Sequence, residues 1–219
     1  MSRPGVSRLF VIAIDGPAGA GKSTVGRALA ARLGLEYLDT GAMYRSVTVA
    51  AVRSGVDVTD VSAVAEVARR ITIEVGERVA VDGVDVTEAI RSPETNASVS
   101  TVAANPQVRE EMVRRQRQWA EERGGGVLEG RDIGSVVFPD AVLKVYLTAS
   151  ALERAQRRAL ESNGDVAEIA ASIEARDRKD SERAVAPLTE ANGAVVIDTT
   201  GRAVDDVLGE LLGLVEVRR

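Results

Sequence analysis

Leu9-Phe10-Val11-Ile12-Ala13-Ile14 runs through Asp15 into Gly16-Pro17-Ala18-Gly19-Ala20-Gly21-Lys22-Ser23-Thr24, after which Val25, Ala28, Leu29 and Leu33 recur at helical spacing. A short apolar run, a glycine-rich turn and an amphipathic pattern predict a buried strand, a loop and a helix. The turn fits G-x-x-x-x-G-K-[ST], and a strand before it with a helix after it is the context that this pattern requires. Its chemistry follows from charge. Glycines let the backbone curl so that successive N–H groups face phosphate oxygens, and the following helix adds the positive end of its dipole. Lys22 is placed to reach the β and γ phosphates and Ser23 to offer a hydroxyl to Mg²⁺. Between flanking strand and helix, a nucleotide cradle is a better reading than a glycine-rich turn that only starts a helix. It defines a site and not a reaction, because a GTPase or an ATP-driven motor begins the same way.

Working outward, Val127–Glu129, Leu143–Leu147 and Ala194–Ile197 are further short apolar runs between helical patterns, and Glu36–Leu38 is a weaker one. They read as strands buried on both faces. The last segment repeats at Val204, Val207, Leu208, Leu211, Leu212 and Val215, a clean helical stripe. Strand and helix in alternation imply an α/β sandwich on a parallel sheet. Asn105-Pro106 is a cap and first-turn pair, and Ser150 with Glu153 and Asp165 with Glu168 fit capping boxes. Over residues 57–96 the pattern changes to a helical stretch and short strand-like pieces, Ile71–Val75 and Val79–Val81, with an Asp82-Gly83 turn. That segment reads as an insertion outside the main sheet, and Gly124–Gly126 as a local loop before a strand. No internal repeat or low-complexity linker divides the 219 residues, so one core carrying excursions is expected.

Composition narrows the function. An apolar fraction of 45% and a charged fraction of 28% are ordinary for a soluble globular protein, and no apolar run reaches the roughly 18 residues of a membrane span. Arg3 and Arg8 precede an apolar stretch too short for a signal-peptide core. Cysteine is absent, which removes disulfides and thiolate metal sites and makes the cytoplasm the default. Histidine is absent too, which removes the usual general base and every Ser-His-Asp arrangement. Chemistry must rest on Lys, Arg, Asp, Glu or a bound metal. A net charge of −5 and 3% aromatics argue against a nucleic-acid polymer as partner. Nothing calls for an obligate dimer, and a monomer is expected.

The arginines therefore need another purpose. Transfer of a phosphoryl group between two anions requires many positive groups, since the protein contributes mainly positioning and charge neutralisation. Candidates are Arg45, Arg109, Arg131 and the cluster Arg154, Arg157, Arg158, Arg176, Arg178, Lys179 and Arg183. Arg114, Arg115 and Arg117 read as a solvated helix face, as does most of the cluster from Arg154 to Arg183 on residue type alone. Gly130-Arg131-Asp132 differs, because it ends a buried strand, where ligands of open α/β sheets bind.

Several stretches then add up to a known family. They are Ile14 to Lys22, Leu38-Asp39-Thr40-Gly41-Ala42-Met43-Tyr44-Arg45, Val81-Asp82-Gly83-Val84-Asp85-Val86, Glu129-Gly130-Arg131-Asp132-Ile133-Gly134, Val137-Phe138-Pro139-Asp140-Ala141 and Arg183-Ala184-Val185-Ala186-Pro187-Leu188. Along nearly its whole length the chain resembles the bacterial cytidylate kinases, which are P-loop nucleoside monophosphate kinases. The resemblance implies transfer of the γ-phosphate of ATP, with Mg²⁺, to CMP or dCMP. It implies a three-layer α/β/α core with a central parallel sheet (about 1–39, 105–150 and 190–219), a monophosphate-binding insertion (about 40–104) and a mobile helical lid (about 151–189). By matching position, Gly16 to Thr24 hold ATP, and Thr40, Arg45, Ser100 and Arg109 contact the monophosphate or the cytosine edge. Arg131 and Asp132 lie beside them, Asp132 on the sugar hydroxyls. Arg176, Asp180 and Arg183 close over the acceptor, and Arg157 and Arg158 approach the transferring group. Lys22, Arg131, Arg157, Arg158 and Arg183 are the expected catalytic set, and Ser23 the expected contact to Mg²⁺.

Three positions depart from the family pattern. Thr40 stands where serine is frequent and keeps the hydroxyl. Ser23 stands where some members have glycine, with Thr24 as the other hydroxyl in reach. Glu129 replaces a frequent aspartate and lengthens the carboxylate there. Two other readings stay open at this stage. One is a kinase of another small acceptor, such as UMP, AMP or a hydroxylated carboxylate. The other is a nucleotide-driven switch or binding module, against which stand the missing Asn-Lys-x-Asp guanine-reading motif and the lack of an apolar heptad run.

Overall fold

The computed structural model describes residues 9–162, 164–183 and 185–218. Arg3, Arg8 and Ala184 lie outside the described residues. β1 (Phe10–Asp15) pairs in parallel with β6 (Gly125–Gly130) on one side and β7 (Leu143–Thr148) on the other. β2 (Tyr37–Asp39) extends the sheet beyond β6, and β8 (Val195–Asp198) beyond β7. The order is β2-β6-β1-β7-β8 with every pair parallel, as alternating strands and helices require.

Alternation along each strand sorts the core into two layers. Val11, Ala13, Leu38 and Leu128 pack beneath α2 (Thr40–Arg53), α3 (Val61–Arg70), α4 (Pro93–Ala104) and α5 (Pro106–Arg123). Ile12, Ile14, Val127, Val145 and Leu147 pack beneath α1 (Lys22–Leu33) and α8 (Val204–Glu216). Burial on both faces is why β1 and β6 read as unbroken apolar runs, whereas β7 alternates buried with half-buried residues and the edge strand β8 fully buries only Ile197, against the expectation of strands covered on both faces. Complete burial of a side chain such as Leu29 or Leu211 contributes about 1.5–3 kcal/mol, so the stripes of α1 and α8 fasten that layer. α6 (Ala151–Ser162) and α7 (Val166–Ser181) pack on each other past the carboxyl end of β7, and α7 reaches across to α4.

Residues 73–85 form a separate antiparallel sheet of β3 (Ile73–Val75), β4 (Val79–Val81) and β5 (Val84–Asp85), with β3 and β4 against α2. Asp82 and Gly83, at φ 49° and 76°, make the tight turn that the sequence announces. β5 escapes sequence reading because its two residues are both exposed and show no alternation.

The structure corrects three expectations. Gly124 to Gly126 are not simply a loop: Gly124 closes α5 in the left-handed region, while Gly125 and Gly126 already belong to β6. A Cβ on Gly125 (φ +135°) would lie 2.2 Å from the carbonyl oxygen of Phe10, an approach only glycine permits. Arg115 and Arg117 are not a solvated face. Arg115 donates to the carbonyls of Ala68 and Ile71, both at 2.8 Å, and to Glu111, tying α5 to the end of α3, while Arg117 donates to Val137 O at 3.0 Å. Arg114 is exposed as expected, paired with Glu111 at 2.7 Å. The Ser150–Glu153 capping box is half formed: Ser150 Oγ accepts from Glu153 N at 3.3 Å, but the Ser150 N–H goes to Thr200 Oγ1 at 2.8 Å. The Asp165–Glu168 box is likewise formed on one side, Asp165 Oδ1 accepting from Ala167 N and Glu168 N, and the Asn105 cap forms, its Oδ1 accepting from Gln107 N.

Candidate active site

The carboxyl ends of β1, β2 and β6 bring Asp15, Asp39 and Glu129 to one edge of the sheet, with Asp39 beside Glu129 in register and Asp15 beside Gly130. A cavity of about 410 Å³ opens there, between the glycine-rich turn, the α2–α4 layer and the α6–α7 pair. This is where ligands of parallel sheets bind.

The turn supplies one wall. Ala18, Gly19, Gly21, Lys22, Ser23 and Thr24 line the cavity. Gly16, Pro17 and Ala20 stand behind it, their carbonyls accepting from Arg131 Nη1, from Lys22 Nζ at 2.8 Å and from Thr199 Oγ1 at 3.2 Å respectively. Lys22 opens onto the cavity, yet the protein packed around it, with Arg131 nearby, pushes its ammonium down to about 7. Ser23 Oγ donates to Glu129 Oε1 at 2.7 Å. Glu129 is 4% exposed, and its carboxyl is pushed up by burial and by the neighbouring Asp39. Its second oxygen has no hydrogen-bond partner in the protein, and neither does the nearby Tyr37 hydroxyl, although the two groups are close enough to act on each other's charge.

The second wall comes from α2, α4 and α5. Thr40 Oγ1 donates to Glu129 O at 2.6 Å. Arg45 is held by Ile90 O at 2.6 Å and Asn96 Oδ1 at 2.7 Å, and burial followed by the charge of Arg158 pushes its guanidinium down to about 10. Arg109 is fixed from three sides: it donates to Asp132, to Ala103 O at 3.3 Å, and lies over the Tyr44 ring at 5.7 Å. Burial pushes the Asp132 carboxyl up, and the positive charges of Arg109 and Arg183 oppose it.

The third wall is α7. Asp180, 2% exposed, faces Arg183 at 2.8 Å, Arg131 at 3.0 Å and Arg176 at 3.9 Å, with Ser100 Oγ at 3.5 Å. Asp177 accepts from the Ala18 N–H at 3.2 Å and pairs with Arg154, which also donates to Ala18 O. Arg157 donates to Thr199 O at 2.8 Å, and Arg157 and Arg158 both face the cavity. Burial, then Arg131 and Arg45, push Arg176 down to about 9. Among the described residues, nine basic side chains line this cavity against the four carboxylates Asp39, Glu129, Asp132 and Asp180. Such an excess of cations in one cleft is built for more than one anionic group.

Comparison with known proteins agrees with this chemistry. A family model for cytidylate kinase matches residues 12–217. The chain belongs to the cytidylate kinase family. It is 50% identical to the cytidylate kinase of Desulfitobacterium hafniense, over 93% of this chain and 91% of that one. It is 49% identical to the cytidylate kinase of Limosilactobacillus fermentum, over 94% and 95%. In fold it is similar to a gluconokinase from Sinorhizobium meliloti, with a TM-score of 0.52 at 14% identity over 96% of this chain and 94% of that one.

Every substrate or catalytic residue expected from the family resemblance lines the one cavity, save the three turn residues behind it. Sequence reading missed Asp15, Asp39, Glu129 and Asp177 as site residues. For Asp15, Asp39 and Glu129 the signal was present, since each lies inside a stretch quoted for the cytidylate kinases. Asp177 had none, because its partners Ala18 and Arg154 are distant in sequence.

Proposed function

We propose that the chain transfers the γ-phosphate of ATP to CMP or dCMP, giving ADP and CDP or dCDP. The observation that carries this is the cavity itself: the phosphate-binding turn forms one end, the Arg45–Arg109–Asp132 group the other, and Arg131 stands between them, joined to both Gly16 and Asp180. In this reading Lys22 and the backbone N–H groups of the cavity-lining turn residues Gly19 and Gly21 to Thr24 hold the triphosphate. Thr40, Arg45, Ser100, Arg109, Asp132, Arg176 and Asp180 hold and orient the monophosphate. Arg131, Arg157, Arg158 and Arg183 neutralise the transferring group. An acceptor phosphate oxygen attacks the γ phosphorus in line and the bond to the β–γ bridging oxygen breaks. That oxygen is anionic at neutral pH and needs no strong base, which suits a chain without histidine.

Residues 40–104 act as the monophosphate-binding insertion and 151–189 as a lid on the core. Lid closure through Asp177 on the Ala18 N–H and Asp180 on Arg131 excludes water, which otherwise competes as acceptor. Among the described residues no group of three or more acidic side chains is placed to hold a metal by itself. Mg²⁺ brought in on a triphosphate needs only one or two protein oxygens, and the Ser23 hydroxyl, bonded to Glu129 Oε1, fits that need. When bound, the ion neutralises charge on the β and γ oxygens. No helix among the described residues is long and apolar enough to cross a membrane. A cytoplasmic monomer is part of the proposal.

The test is ATP consumption with Mg²⁺ against CMP, dCMP, UMP, AMP and shikimate, with a control lacking acceptor. Dominance of CMP and dCMP supports the reading. If another acceptor wins, the base-reading roles must be reassigned, and equal consumption without acceptor sinks the kinase reading.

A further inference from the structure

We propose that Asp15 is a positioning residue for acceptor binding: its carboxylate clamps the loop that carries Arg131 and Asp132 to the root of the phosphate-binding turn. Asp15 is the last residue of β1, 3% exposed, and touches no open part of the cavity. Its Oδ1 accepts from Ile133 N at 2.8 Å and its Oδ2 from Gly134 N at 2.7 Å. These two N–H groups open the π-helical turn Ile133–Val137, directly after Asp132. Hydrogen bonds to an ionised carboxylate are stronger and more directional than neutral ones. A return contact completes the stitch, since Arg131 donates to the carbonyl of Gly16, the residue after Asp15.

The two sides of this stitch depend on Asp15 differently. The backbone of Asp15 is held by parallel pairing to Gly130 on one side and Tyr146 on the other, and Gly16 is packed against the backbone of Leu147. The phosphate-binding turn therefore keeps its starting point whatever the Asp15 side chain is. The 131–134 loop has left the β6 ladder, and its first two turn amides are satisfied by that carboxylate. Loss of the clamp loosens Arg131 and Asp132, and through Asp132 the buried Arg109, while the donor side stays in place. The inference rests on the reading of this cavity as donor and acceptor sites. Burial pushes the Asp15 carboxyl up to about 6, so the comparison belongs at pH 8, where it is ionised.

The experiment compares wild type with Asp15→Asn, which keeps the shape but presents an N–H₂ to one backbone N–H. Steady-state kinetics are run with CMP and with ATP as the varied substrate, and amide exchange is followed by NMR. Expected are a KM for CMP raised about tenfold or more, a KM for ATP within about twofold of wild type, and exchange at Ile133 and Gly134 at least about tenfold faster, with residues 16–24 unchanged. If Asp15→Asn does not fold, Asp15→Glu carries the same test, since the added methylene displaces both acceptors while keeping the charge. Unchanged exchange at Ile133 and Gly134 overturns the clamp, with or without a working kinase assay. Equal rises in both KM values, or none, overturn the selective effect on the acceptor. A wild type that ignores CMP but uses another monophosphate defeats the acceptor assignment alone, and the same split is then read against that acceptor.

Discussion

The carboxylate of Asp180, on α7, lies 3.0 Å from Nε of Arg131, just past the carboxyl end of β6. With Arg183 at 2.8 Å and Arg176 at 3.9 Å on the same carboxylate, one buried negative charge holds three guanidinium groups together. Asp180→Asn leaves those cations facing each other, so the lid is expected to open and the acceptor to bind more weakly. A loss of about 2 kcal/mol, or roughly thirtyfold in the KM for CMP, is the scale for a charge-assisted pair in a cleft that admits water. ATP consumed per CDP formed should rise as water enters. An unchanged KM with full coupling would show that Asp180 does not hold the lid.

Arginines on two helices make a contrast. Arg183→Ala removes a cation from the cavity, and turnover should fall by about 100-fold or more while the melting temperature moves little. Arg115→Ala removes no cavity group but leaves the carbonyls of Ala68 and Ile71 without their donor at the end of α3. It should cost about 1–3 kcal/mol of stability and leave kcat near wild type. Wild-type turnover in Arg183→Ala would sink its assignment to the transfer step, and a kcat loss in Arg115→Ala at unchanged stability would overturn its structural role.

What distinguishes such arginines is not visible in sequence, because side-chain type and helical spacing are the same for a solvated face and for a staple between helices. Arg115 and Arg117 were expected in solvent for that reason, and their partners at Ile71 and Val137 come from other elements. The parallel sheet was legible because its strands stand out as short apolar runs between helical stripes, although only β1 and β6 are buried on both faces. The edge of β6 was not, because Gly125 and Gly126 bring no side chain to the pattern and are strand only by the close approach of β1. In the site, motif residues such as Lys22, Arg45 and Arg131 were found through contiguous stretches. Asp177 was not, and Asp15, although inside the stretch from Ile14 to Lys22, gave no sign of its clamp, since each acts on a residue far away in the chain.

Two glycines should respond oppositely to alanine. Gly125→Ala sets a methyl group 2.2 Å from the Phe10 carbonyl at a φ of +135°, and backbone atoms on both sides of the β1–β6 ladder must move. A stability loss of about 3 kcal/mol or more is expected, as for a strained and overpacked site. Gly209 lies within α8, exposed, with nothing within 4 Å of an added Cβ. Gly209→Ala should stabilise by roughly 0.5–1 kcal/mol through helix propensity alone. Denaturant midpoints of the two variants check both signs, and a stable Gly125→Ala would refute the close approach of β1 and β6.

Lys22 gives a test of the donor site that needs no turnover. Its ammonium is pushed down to about 7 by burial, with Arg131 as the next cause and Glu129 opposing both. At pH 8 most Lys22 side chains in the free protein are therefore neutral. A triphosphate seated in the turn brings negative charge against Nζ, which favours the charged form and raises the pKa. Binding at pH 8 should then take up protons, approaching one per ATP. The uptake should shrink at pH 6, where the side chain is already protonated in the free protein. Calorimetry of ATP binding in two buffers of different ionisation enthalpy measures this directly, and Lys22→Met should abolish the uptake even where residual binding remains. Net proton release at pH 8, or uptake that survives in Lys22→Met, would mean that another group carries the linkage and that Lys22 does not meet the phosphates.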